Sequence, residues 1–182
     1  MSALYLIEIV PTATERETIA ETLELVRQRA EQAGAELIEA QVAASTDADA
    51  GRIFVVIEAA DQQTAGQVAE LDALEVSEPA QVRLVGAELD AVKAARPEAG
   101  YLVEWDIPAH IDMDTYLTRK REKSPLYSQI PEVSFLRTYV REDVAKCLCF
   151  YDAPDEDAVR RARDIVSTPV DRLHVLDSGI VL

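Results

Sequence analysis

The sequence is poor in the residues that most often carry out chemistry. Its 182 residues include two histidines, two cysteines, one tryptophan and six glycines. Two histidines leave little scope for a Ser-His-Asp triad, and neither a glycine-rich phosphate loop nor a His-Glu-x-x-His zinc motif is present. The two cysteines stand two positions apart, where a disulfide would close almost no loop, so they do not indicate a secreted, disulfide-stapled domain.

Long apolar runs and positive charge are also scarce. No apolar stretch approaches the ~20 residues that span a bilayer, and the first residues lack the basic start of a secretion signal. We therefore expect a cytoplasmic protein without a membrane partner. Lysine and arginine number 18 against 34 acidic residues, a net charge of −16. Such a field repels nucleic acid, which leaves a small molecule or a metal ion as the expected partner.

An internal repeat is the most informative feature of the sequence. Blocks in the first half match blocks in the second, in the same order. The clearest pairs are "YLIEIVP" (5–11) with "YLVEWDIP" (101–108), and "GRIFVVIEAAD" (51–61) with "AKCLCFYDAPD" (145–155). Each half reads strand, helix, strand, strand, helix, strand, which is the ferredoxin-like order. The sequence predicts an α+β chain with one such domain over residues 1–90, a linker over 91–99 and a second domain over 100–182.

A ferredoxin-like domain covers only one face of its sheet with helices, so the other face needs cover. Two copies in one chain can supply it by packing through their sheets as a pseudo-dimer, in the manner of a dimeric α+β barrel. This arrangement predicts a ligand cavity between the sheets. It leaves open whether the chain is a monomer or a homodimer.

The second half resembles a family of short ferredoxin-like proteins of unassigned function that includes a nickel-binding protein. The resemblance rests on "YLVEWDIP", "FLRTYV", "CFYDAPDEDAV" and "TPVDRLHVL", within residues 100–177. The first half looks like a diverged copy. The resemblance implies the fold, association of sheets and binding of a divalent metal such as nickel or zinc, but it identifies no ligand residue.

Strand alternation selects the first candidate site residues. Glu104 recurs in the first copy as Glu8, and a carboxylate in mid-strand is costly when it is buried without a partner. It is either a ligand-facing acid in the cavity between the sheets or a solvent-facing or salt-bridged residue at a strand end. Arg137 and Tyr139 follow on "FLRTYV". The arginine either pairs with Glu104, holds an anionic ligand, or seals the sheets by stacking on the tyrosine.

The Cys-x-Cys strand supplies further candidates. Cys147, Cys149 and Tyr151 share a face that is apolar in the first copy, which favours packing. The alternative is a pocket lined by Cys149 and Tyr151, or a soft-metal site. The candidate metal ligands are His110, Cys149 and His174, although His110 precedes acidic residues typical of a helix start. The basic run "TRKREK" (118–123) reads as a cationic helix end or as a docking site for an anion.

The sequence thus predicts a protein that binds a small ligand or a divalent metal, with Glu104, Arg137, Tyr139, Cys149 and Tyr151 lining a site on the second domain's sheet. Register across strands, which sequence does not give, decides whether these five share a face. One alternative is a cofactor-free enzyme, a cyclase, isomerase or monooxygenase with Glu104 as acid/base. Another is an interaction module without a pocket.

Overall fold

The computed structural model describes residues 1–44, 51–95 and 98–178. These residues form two compact units. The first comprises the described residues of 1–82, 89–97 and 176–182, and the second comprises 83–88 and the described residues of 98–175. None of the helices in the described ranges has the length and apolar character needed to cross a membrane.

The first unit follows the predicted order of elements. Its strands lie in the order β2-β3-β1-β5, with β4 beside β1. The elements are β1 (Ala3–Val10), α1 (Arg16–Ala33), β2 (Glu36–Val42), β3 (Ile53–Ala59), α2 (Gln62–Val68), β4 (Glu75–Val76), β5 (Ala80–Val85) and α3 (Leu89–Ala95). Most of the predicted linker is thus the helix α3, which groups with the first unit.

The second unit repeats this topology. Its strands lie in the order β7-β8-β6-β9, which matches the order in the first unit strand for strand. The elements are β6 (Tyr101–Asp106), α4 (Met113–Lys123), a 3-10 helix (Ser124–Gln129), β7 (Ser134–Arg141), β8 (Lys146–Asp152), α5 (Glu156–Ile165) and β9 (Arg172–Val175). The predicted ferredoxin-like α+β fold is confirmed in both units.

Aspartate caps fix where the helices of the second unit begin. The Asp112 carboxylate accepts a hydrogen bond from the backbone N–H of Thr115 at 2.8 Å, and Asp155 does the same for Ala158 at 2.7 Å. Each cap satisfies a backbone donor that the first helical turn leaves free. The acidic residues after His110 are therefore a helix start.

A bulge in β7 decides which side chains face the helices. The pairing of β7 with β8 shifts register between Phe135 and Arg137. Phe135 consequently packs on the helix side against Tyr151, with ring centroids 5.8 Å apart. Arg137 and Tyr139 lie on the other side, where both contact the ring of Phe150.

Candidate functional site

A cavity opens on the helix-covered side of the second unit's sheet. The empty space is about 340 Å³ when the open solvent at the mouth of the cavity is counted. We call it the cationic pocket, because four basic side chains lie in its wall, beside aromatic and sulfur-bearing ones. Its lining includes Trp105, Tyr116, Arg119, Lys120, Lys123, Tyr127, Cys147, Cys149 and Arg163.

Helix α4 supplies most of the positive charge that lines the cationic pocket. Tyr116, Arg119, Lys120 and Lys123 follow one another at i, i+3, i+4 and i+7, so they share a single face of the helix. That face borders the cavity. Arg121, which belongs to the same basic run, is exposed on another face. The basic run is therefore split between the pocket and solvent.

The sulfur of Cys149 lies among donors. Lys120 Nζ is 3.6 Å from Cys149 Sγ, Arg163 Nη1 is 3.4 Å away and Thr138 Oγ1 is 3.3 Å away. The sulfur of Cys147 is 3.8 Å away. The hydrogen bond from Cys147, with the charges of Lys120 and Arg163, holds the pKa of Cys149 well below its usual value despite burial.

The pKa values of the two thiols are shifted in opposite directions. Cys147 donates toward the Cys149 sulfur, and this hydrogen bond, together with burial, raises the pKa of Cys147 well above its usual value. Of the two thiols, Cys149 has the lower pKa, and its sulfur is the one that Lys120 and Arg163 contact.

Arg163 is the most unusual member of the pocket. It is 1% exposed. Its guanidinium donates to Cys149, to the hydroxyl of Tyr151 at 3.2 Å and to the carbonyl of Pro169 at 2.8 Å. Among the described residues it pairs with no carboxylate, and its Nε has no hydrogen-bond partner. The hydroxyl of buried Tyr116 faces the Cys147 thiol. An unsatisfied buried donor such as the Arg163 Nε is rare in folded proteins and suits an acceptor from outside the chain.

Aromatic rings close the pocket beside these charges. The hydroxyls of Tyr127 and Tyr151 are 2.7 Å apart, and Tyr127 stacks on Phe135 at 5.4 Å between centroids. Burial raises the pKa of Tyr127 to about 12, so its hydroxyl stays protonated. Arg119 lies over the ring of Trp105, 5.7 Å from its centroid.

Glu104 belongs to a separate cluster on the opposite face of the sheet. It is 2% exposed. Its carboxylate accepts hydrogen bonds from Lys146 at 2.7 Å, Arg172 at 2.8 Å and His174 at 2.7 Å. Burial alone would raise the pKa of Glu104, but these donors hold it far below its usual value. Glu104 is thus a carboxylate held in a salt-bridge cluster. Its lowered pKa makes it a weak base, which is poorly suited to accepting a proton in catalysis.

The sequence-derived candidates therefore fall into two groups. Cys149 lines the cationic pocket and Tyr151 lies on the same face, bonded to the pocket residue Arg163, whereas Glu104, Arg137 and Tyr139 lie on the other face of the sheet.

The three candidate metal ligands also stay apart. His110 is exposed before α4, His174 is bound to Glu104, and Cys149 is on the helix side. Across residues 1–44, 51–95 and 98–178, no three His, Cys, Asp or Glu side chains are grouped to hold a metal ion.

Sequence reasoning missed Arg163 as a site residue. A signal was present, because Arg163 follows Val159 by four positions and Ala162 by one, on the apolar face of α5. An arginine on the apolar face of a helix points toward the core, and a buried arginine is rare unless it has a specific partner. The sequence marks Lys120 only as part of the basic run 118–123.

Comparison with known proteins connects the second half to a family. Residues 101–175 match the family described as "Nickel responsive protein SCO4226-like". The expected resemblance of the second half is thus confirmed, over less than half of the chain. No protein of curated function matches the sequence closely.

Solved structures share the fold of the whole chain. One is a mutant chlorite dismutase from Candidatus Nitrospira defluvii in complex with cyanide, with 10% identity and a TM-score of 0.52, covering 97% of this chain and 90% of that one. Another is a candidate chlorite dismutase, with 14% identity and a TM-score of 0.55, covering 97% and 96%. A candidate monooxygenase from Lactobacillus acidophilus has 6% identity and a TM-score of 0.50, covering 96% and 91%. At these identities the likeness concerns the fold alone.

Proposed function

We propose that the second unit binds a small organic anion with an aromatic or apolar body in the cationic pocket. The observation that carries this proposal is the pairing of Arg163 and Lys120 around one cavity without a carboxylate partner among the described residues. A buried cation is stabilised by hydrogen bonds and, more strongly, by a nearby negative charge. Anionic ligands supply such a charge directly.

The aromatic part of the wall suggests the shape of the ligand. Trp105, Tyr116 and Tyr127 line the cavity and offer an apolar surface to the body of the ligand. Small-molecule sites typically combine an apolar surface with a few fixed polar groups, and the rings and cations of this pocket have that composition. A carboxylate on a single ring is the simplest ligand of matching chemistry.

Trp105 is the only tryptophan of the chain, so its fluorescence reports on this pocket directly. We expect benzoate to change the emission of Trp105, and benzyl alcohol, a neutral compound of similar size, to do so far less. Lys120→Met should weaken benzoate binding about tenfold or more, because a hydrogen bond to a charged group contributes about 1.5–3 kcal/mol.

Arg121→Met is the matched control, since this arginine is on the same helix but outside the pocket. It should leave benzoate binding unchanged. Equal responses to benzoate and benzyl alcohol, or equal losses in both variants, would contradict the proposal.

A soft divalent metal is the second candidate, which the nickel-responsive family match favours. The sulfurs of Cys147 and Cys149 are 3.8 Å apart. Two thiolates bound to one tetrahedral ion by bonds of about 2.3 Å are also separated by about 3.8 Å. However, Lys120 and Arg163 repel a cation from Cys149, and the described residues offer no third ligand. The residues present therefore fit an anion better than nickel.

A further inference from the structure

The charge balance of the cationic pocket points to Cys149 as the negative group in the absence of a ligand. Arg163 is nearly completely buried, and its nearest ionisable neighbours are the Cys149 sulfur and the Tyr151 hydroxyl. Of these two, the thiol ionises more readily. Lys120 reaches the same sulfur from the other side.

We propose that Cys149 is a nucleophilic thiolate, and that the cationic pocket makes it a covalent modification site for small carboxylate-bearing electrophiles. This inference rests on the proposed function, because the same cations would hold the carboxylate of the incoming molecule. Arg163 lines the cavity, and its unpaired Nε offers a donor for that carboxylate. The lowered pKa of Cys149 agrees with this assignment.

The reaction is a simple displacement. The Cys149 sulfur attacks the electrophilic carbon with its lone pair, a carbon–sulfur bond forms, and the bond to the leaving group breaks. The leaving group departs as an anion with the bonding electrons. No external oxidant or reductant takes part, and no proton needs to be removed because the sulfur is already ionised.

Access to the sulfur is sterically restricted. Cys149 is 0% exposed, and it lies in the wall of the cavity. A reagent therefore reaches the sulfur from the pocket only when side chains of the wall move aside. Reagents of equal size but different charge will differ in rate through their interaction with the cations, since the steric barrier is common to both.

The test compares iodoacetate with iodoacetamide on the intact chain. Alkylation is followed by intact-mass spectrometry, and peptide mapping assigns the label to one cysteine. We expect iodoacetate to label Cys149 at least tenfold faster than iodoacetamide does. The rate should be nearly constant from pH 6 to 8, whereas an ordinary thiol with a pKa of about 8.5 gains close to tenfold per pH unit in that range.

Variants separate the roles of charge and access. Lys120→Met should reduce the preference for iodoacetate severalfold, and Arg121→Met should preserve it. Labelling of Cys147 in place of Cys149, equal rates for the two reagents, or failure of both to react below pH 8 would each overturn the inference.

The fate of the proposed function is measured separately. Benzoate binding is read from Trp105 fluorescence and needs no alkylation. If benzoate binds while Cys149 resists both reagents, only the covalent inference fails. If benzoate leaves the fluorescence unchanged, the proposed function fails, and a tenfold iodoacetate preference would then have no anion site to explain it.

Discussion

Replacement of Glu104 by glutamine should destabilise the second unit more than any comparable surface change. The substitution removes the charge that Lys146, Arg172 and His174 share, within a site that is almost closed to water. Breaking a buried ion pair typically costs 3–5 kcal/mol. We expect about 3 kcal/mol, the low end, because Arg172 keeps its bonds to Asp106 at 2.6 and 2.9 Å.

This cost should depend on pH in a defined direction. The pKa of Glu104 in the folded chain is below its ordinary value of 4.5. A carboxyl group with a lowered pKa contributes stability that is fully present above its unfolded pKa and declines as pH falls toward its folded pKa. The stability difference between wild type and Glu104→Gln should thus be constant at neutral pH and shrink below about pH 4.5.

The measurement is urea unfolding followed by the fluorescence of Trp105, which lies in the same unit. Glu142→Gln is the matched control, because its bonds to Arg83 at 2.9 and 3.0 Å are largely exposed. Exposed pairs contribute about 0–1 kcal/mol. Equal free-energy losses in the two variants, or a Glu104→Gln deficit that grows at low pH, would refute the reasoning.

Two further predictions concern the metal candidate and a turn. Nickel should raise the melting temperature of Lys120→Met more than that of wild type, because the positive charge that repels the metal is gone. The shift should vanish when Cys149→Ser is added to Lys120→Met. A shift that survives in this double variant would place nickel elsewhere. Gly86→Ala should destabilise the chain by about 1–2 kcal/mol in thermal or urea unfolding, since Gly86 has φ +86° and a Cβ there would lie 2.8 Å from the Phe135 ring. Gly66→Ala in helix α2, with open space around it, should instead be neutral or stabilising.

The repeat made the topology predictable from sequence. Matching blocks at 51–61 and 145–155 predicted equivalent strands, and β3 and β8 occupy the same position in the strand order of their units. The helix starts at Asp112 and Asp155 were also readable, because capping depends on local sequence. Local patterns and the repeat thus carried most of the fold.

The site was harder to predict because it depends on contacts between elements. Strict strand alternation predicts that Phe135 and Arg137 share one face, but the bulge between them puts the two side chains on opposite faces. The Cys-x-Cys strand was correctly aligned with an apolar strand of the first copy, yet the sequence could not show that α4 and α5 bring Lys120 and Arg163 to Cys149. Which helix faces meet at a strand is a tertiary property.

The cationic pocket is a small positive region on a chain whose net charge is −16. At long range, an approaching anion is therefore repelled, and it is attracted only once it is within about a Debye length of Arg119, Lys120 and Lys123. Added salt screens the distant repulsion more completely than the partly buried contacts inside. Moderate ionic strength should consequently speed entry of an anion into the pocket, which is the reverse of the usual effect of salt on a positively charged site.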